Sequence, residues 1–146
     1  MTRTIGAFIV AVIGTYILGV FFIGQGNLAN VAEMGLTVEF SDRIATLIHD
    51  LTHMTAIYLP LVTVSSIIAF SVAAGVIHFT PNLRRIGYVS AGFVALIALH
   101  LIMKMTLGLT GVAPTRTLMG LIAQGAAGAF GGYLFHILTQ KKTSLV

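Results

Sequence analysis

Four apolar stretches constrain this chain more than any other feature of its sequence. A helix needs about 20 apolar residues to cross the hydrocarbon core of a bilayer. The chain has four runs of that length, and they predict helices at about 5–23, 54–77, 86–107 and 117–138. In lipid, each backbone polar group must be paired inside its own segment, and an α-helix does this. The sequence therefore predicts an all-α integral membrane protein, a four-transmembrane-helix bundle in a single transmembrane domain over residues 1–146.

Composition excludes a soluble fold and narrows the chemistry. The chain is 57% hydrophobic and 8% charged, whereas soluble domains are roughly a quarter charged. It has no cysteine, which excludes disulfides, thiolate metal sites and cysteine nucleophiles. The basic residues are scattered at the ends of the apolar runs, so we predict no nucleic-acid partner. The first run could be a secretory signal, but at about 19 residues it exceeds the usual apolar region of roughly 7–15, so we count it as a span.

The charges between the spans predict the orientation of the chain. Lys and Arg are retained on the cytoplasmic side of a membrane during insertion. One side carries Arg3, Arg84, Arg85, Lys141 and Lys142. The other side carries Arg43, Arg116 and all four carboxylates, which are Glu33, Glu39, Asp42 and Asp50. This predicts a protein of the bacterial inner membrane with a cytoplasmic N-terminus and C-terminus, and an acidic outer loop over residues 24–53.

The end of the outer loop has the pattern of an amphipathic helix. Ser41 and Asp42 form a plausible N-cap. Apolar residues then repeat at helical spacing, and they are Ile44, Leu47, Ile48 and Leu51. We predict an amphipathic outer lead-in to the second span, followed by a kink at Pro60.

Two histidines in this lead-in helix are candidate metal ligands. His49 and His53 stand at i and i+4, so both imidazoles share one helix face and can reach one metal ion. His100 on the third span is a third candidate, and histidine with methionine but no cysteine would suit copper. A haem held by histidines of two helices is the alternative. His53 is expected about 6 Å above the hydrocarbon core and His100 about 9 Å below its outer edge. Because the two depths differ, the sequence favours a metal on His49 and His53. Histidines at a membrane interface are also common as ordinary solvated residues.

Several polar residues are predicted to lie at one depth inside the bundle. Tyr16, Thr63, His100 and Gln124 fall about 9–12 Å inside the outer boundary. Polar groups at this depth usually face the interior or a cavity. They form a site for a substrate, quinone or ion that opens outwards, or else His100 and Gln124 simply hydrogen-bond each other between helices. Near the outer edge, we predict that Lys104 faces Asp50 directly or through water or a ligand. The candidate ligand-binding residues are therefore Tyr16, Asp50, His100, Lys104 and Gln124.

The fourth span carries small residues on one face. Gly120, Gln124, Gly128 and Gly132 follow at steps of four, a spacing that lets another helix approach closely. The partner is either another helix of the chain or a neighbouring copy. Besides the lipid bilayer, a homo-oligomer or the subunits of a membrane complex are the expected partners.

Three functions remain open on the sequence alone. The first is a membrane binding or redox protein with an outer-side transition-metal or haem site formed by histidines. The second is a channel or transporter protomer for a small solute, and the third is a non-catalytic accessory subunit of a membrane complex. An intramembrane hydrolase ranks last, because no Ser-His or Cys-His arrangement is visible and the carboxylates lie outside the spans.

Overall fold

The architecture is a bundle of long apolar helices with one amphipathic helix at its side. The computed structural model describes residues 2–107 and 113–140, so Lys141 and Lys142 of the orientation argument lie outside it. The α-helices are α1 (Thr2–Glu33), α2 (Phe40–His53), α3 (Tyr58–Phe79), α4 (Arg84–Leu107) and α5 (Leu118–Thr139). All but α2 are long and apolar enough to cross a membrane. The prediction of an all-α membrane fold is confirmed.

The first helix is longer than the sequence pattern predicted. It has 32 residues and is therefore about 48 Å long, whereas a hydrocarbon core is about 30 Å thick. The predicted outer loop over residues 24–53 is wrong for its first part, because residues 24–33 continue α1. The helix is followed by Gly35, whose φ of 84° is the left-handed conformation that glycine adopts without strain.

The predicted amphipathic helix is present as α2, but it begins earlier and is separate from α3. Its N-cap is Glu39 rather than Ser41, and the Glu39 N–H donates to Asp42 Oδ2 at 2.9 Å. A short turn over residues 54–57 separates α2 from α3. Pro60 then falls in the first turn of α3, where a helix needs no N–H donor, so the residue requires no kink there.

The α5 helix has the most extensive packing contacts of the helices in the bundle. Its most extensive contacts are with α4 on one side and α1 on the other. A Cβ added to Gly128 would overlap the backbone of Gly92, and one added to Gly132 would overlap that of Tyr88. The glycine face of α5 therefore packs against α4 of the same chain, which settles the choice between an internal and an external partner for these two positions.

Two clusters of buried residues fill the bundle at different levels. Near the N-terminus of α1, the rings of Phe70 and Phe135 stack at 4.9 Å and Tyr88 meets Phe135 edge-on. The other cluster lies towards α2, contains Tyr16, Tyr58 and Leu96, and receives Leu47 and Leu51 of α2. The buried polar side chains of interest lie beside this second cluster.

Candidate functional site

A buried glutamine joins three helices in the centre of the bundle. Gln124 of α5 is 1% exposed. Its Oε1 accepts a hydrogen bond from the Tyr58 hydroxyl of α3 at 2.7 Å, and its Nε2 donates to the Gly19 carbonyl of α1 at 3.1 Å. Both ends of the amide are therefore paired, and the side chain connects α1, α3 and α5.

A second tyrosine connects this cluster to the end of α2. The Tyr16 ring lies 6.0 Å from that of Tyr58. Its hydroxyl donates to the Leu51 carbonyl at 2.8 Å and contacts Thr55 Oγ1 at 3.0 Å. Polar groups thus continue from the amphipathic helix into the interior of the bundle.

His100 completes the cluster and has one unpaired nitrogen. The ring is 5% exposed and lies 6.0 Å from the ring of Tyr58. Its Nδ1 is 2.8 Å from the Leu96 carbonyl, and because a carbonyl only accepts, this nitrogen carries the proton. Nε2 is then a buried acceptor, and it has no hydrogen-bond partner among the described residues.

The structure thus brings Tyr16, His100 and Gln124 into one polar cluster, with Tyr58 as the residue that joins them. The sequence predicted that Thr63 would supply the polar group of the second span in this cluster. In the structure the Thr63 hydroxyl donates instead to the Leu59 carbonyl of its own helix. Tyr58 was missed because the span was predicted to begin at residue 54, which placed Tyr58 near its outer edge. The available signal was the tyrosine itself, since a buried Tyr hydroxyl usually finds a partner.

The two histidines of α2 form a separate pair on the outside of the molecule. Their rings stack with centroids 4.0 Å apart and planes 13° from parallel. His49 Nδ1 lies 3.2 Å from Asp50 Oδ1, and His53 Nδ1 lies 2.8 Å from the His49 carbonyl. The His49 side chain is 65% exposed, so the pair is open to the surroundings of the protein.

Asp50 and Lys104 do not form an ion pair in the part of the chain that the structure describes. The Asp50 side chain is 17% exposed and points towards Gly24 of α1, where an added Cβ would lie 3.3 Å from its Oδ2. Lys104 is exposed on α4. A link between the two through water or a ligand stays a prediction.

His49, His53 and His100 do not meet at one point. Within residues 2–107 and 113–140, no three side chains of His, Asp or Glu come close enough to hold a metal ion together. The surroundings of His100 do not fit a haem, because its Nε2 is closed off by packed protein and a porphyrin needs an open slot beside the ligating nitrogen. The His49 and His53 pair offers two exposed imidazoles, but in the stacked arrangement their in-plane lone pairs point side by side rather than at one point.

These features define a polytopic helical membrane protein with a buried polar cluster and an exposed pair of histidines. No protein-family model, no curated protein and no solved structure matches the chain.

Proposed function

We propose that this protein binds a divalent transition-metal ion at the membrane surface through His49 and His53. The supporting observation is that both imidazoles use Nδ1 for a hydrogen bond to an acceptor, namely the Asp50 carboxylate and the His49 carbonyl. Each Nδ1 therefore carries the proton, which leaves each Nε2 as the nitrogen that can bind a metal. One ion reaches both Nε2 atoms once the stacked rings rotate towards a common point. Histidines that bind metals are almost always held in this way by a carboxylate or a backbone carbonyl.

The donor set favours copper or zinc. Imidazole suits both ions, and Cu²⁺ binds most tightly in the usual order of divalent metals. Asp50 acts in this proposal on the position and basicity of His49 rather than as a ligand. Two protein ligands leave other coordination positions to water or an incoming molecule, so the site is suited to reversible binding.

The charge of the surroundings also favours a cation. All four carboxylates of the chain lie between residues 33 and 50, in the same segment as the two histidines. The four carboxylates outnumber Arg43 and Arg116 on this side, and an excess of negative charge raises the local concentration of cations. Because Lys and Arg at the opposite end favour the cytoplasm, we assign the histidine pair to the outer side of the bacterial inner membrane.

Cysteine labelling tests this orientation, and the chain has no native cysteine to interfere. We expect Thr37→Cys in intact cells to react with a membrane-impermeant maleimide, and Asn82→Cys to react only after the cells are opened. Both positions are exposed in connections between helices. The reverse pattern would place the histidine pair in the cytoplasm and contradict the proposed orientation.

Metal titration tests the site itself. We expect protein without a polyhistidine tag to bind one Cu²⁺ or Zn²⁺ per chain by calorimetry and elemental analysis. His49→Ala and His53→Ala should each weaken binding by more than about tenfold, because loss of even an outer partner of a metal ligand typically costs 10–100-fold. Asp50→Asn should have a smaller effect, since an amide oxygen still accepts from Nδ1.

The matched control is His78→Ala, which removes an exposed histidine from the end of α3. This variant should bind metal like the unchanged protein. The proposal fails if no stoichiometric metal binds, or if all three alanine variants behave alike.

A further inference from the structure

Three arginines gather at the end of the bundle opposite the histidine pair. Arg3 Nε–H donates to the Leu138 carbonyl at 2.9 Å, and Arg84 donates to the Thr139 hydroxyl at 2.6 Å. Both arginines therefore donate hydrogen bonds to acceptors at the C-terminal end of α5, where free carbonyls and the helix dipole favour cations. Arg85 is different, because its guanidinium lies 5.4 Å above the ring of Tyr133.

Within the described residues, no carboxylate side chain balances the positive charge of Arg85 at this end. No Asp or Glu follows Asp50 in the sequence, and the four carboxylates belong to the other end. Among the residues that the structure describes, no ion pair involves Arg85. The cation–π contact with the Tyr133 ring holds the guanidinium in place. The N–H groups of Arg85 are therefore available to donate hydrogen bonds to an anion.

Arg85 stands at the mouth of an apolar groove between α4 and α5. The groove has a volume of about 580 Å³, which is within the range of about 300–1,000 Å³ for small-molecule sites. From Arg85 to Phe93 it extends about 12 Å along α4. Its walls include Val89, Ala129 and Phe130, and the Ser90 hydroxyl is already bonded to the Ile86 carbonyl. The interior thus offers apolar contact, and the charge is confined to one end.

We propose that this groove binds an anionic phospholipid, with its phosphate on Arg85 and an acyl chain along Val89, Phe93 and Ala129. Guanidinium groups bind phosphate through paired hydrogen bonds. The groove begins where α4 begins, so the headgroup lies at the membrane interface and the chain lies in the hydrocarbon. A zwitterionic lipid fits less well, because its ammonium is repelled by Arg85, and Arg3 and Arg84 add further positive charge at the same end of the bundle. Basic pockets at the ends of transmembrane helices bind anionic headgroups for the same reason.

Native mass spectrometry of the full chain, with dioleoyl phosphatidylglycerol and dioleoyl phosphatidylcholine as probes, tests the inference. We expect the anionic lipid to remain bound preferentially. Arg85→Gln should reduce its retention several-fold and abolish the preference, whereas Arg85→Lys should keep part of it because the charge remains. Ala129→Phe should reduce retention by filling the groove.

Arg43→Gln is the matched control, because it removes one arginine at the other end of the bundle, where Arg43 contacts Gln25. It should leave the preference unchanged. Inorganic phosphate should not displace the lipid, because it lacks the acyl chain that fills the groove. The inference is overturned if both lipids bind equally, if Arg85→Gln and Arg43→Gln have the same effect, or if free phosphate displaces the lipid. These outcomes are independent of the metal site.

Discussion

Replacing Gly128 with leucine is expected to prevent the bundle from folding to its native packing. A Cβ at this position would overlap the carbonyl group of Gly92, and a Cβ at Gly92 would overlap that of Gly128. Overpacking usually costs about 1–3 kcal/mol when neighbouring side chains can adjust. Here the neighbour is backbone, so α4 and α5 must separate and their other contacts are lost as well. We expect a loss of about 3 kcal/mol, the upper end of that range.

Thermal unfolding in detergent, with size-exclusion chromatography, measures this effect. Gly75→Leu is the matched control, because a Cβ at Gly75 on α3 meets nothing within 4 Å. The control should remain monodisperse and unfold close to the temperature of the unchanged protein. If Gly128→Leu also did so, the close approach of α4 and α5 would not hold the bundle together.

The second large effect is expected at the buried amide of Gln124. Gln124→Leu keeps a side chain of similar size but leaves the Tyr58 hydroxyl without its acceptor. Tyr58→Phe leaves Gln124 Oε1 without its donor. A buried polar group that loses its partner costs about 1–3 kcal/mol, so each single variant should be destabilised by that amount.

A double-mutant cycle separates the hydrogen bond from other effects of these substitutions. Tyr58→Phe combined with Gln124→Leu leaves neither group unpaired, so its loss should be smaller than the two single losses added. Coupling measured between helices in membranes averages about 0.6 kcal/mol and reaches about 1.7. Denaturant titration in mixed micelles gives the free energies of unfolding. The control is Tyr133→Phe, at a residue that is 39% exposed, and it should change the free energy of unfolding little. If the two single losses were additive, the predicted coupling between Tyr58 and Gln124 would be absent.

The spans could be predicted from sequence because lipid imposes a single requirement on them. Long apolar runs must be helical there, and the predicted bounds of the last three spans lie within a few residues of α3, α4 and α5. The extension of α1 beyond residue 23 was not predictable from hydropathy, because residues 24–33 mix apolar and polar side chains. Their helical structure ends only near Gly35, where the left-handed conformation favours glycine.

The site was harder to predict. For a helix at the membrane interface, the hydropathy pattern does not determine which side of the helix faces the bundle. The pattern of α2 predicted an apolar side and a polar side, with Asp50 on the polar one. In the structure Ile44 and Ile48 of the apolar side are 43% and 60% exposed, while Asp50 turns inwards. An interfacial helix has apolar surroundings on two sides, the bundle and the lipid. Periodicity therefore could not determine whether Asp50 faces α1 or Lys104.

The central position of α5 has a consequence for biogenesis. Among the described helices α5 is synthesised after the others, and it is the least apolar of the four spans. Yet α1 and α4 pack on it more extensively than on any other helix, and its final turn accepts a hydrogen bond from Arg3 at the start of the chain. Until α5 is made, Gly92 of α4 therefore lacks the Gly128 backbone that packs against it in the finished bundle. A chain whose synthesis stops before Leu118 would keep α1 and α4 without the helix on which both pack most extensively.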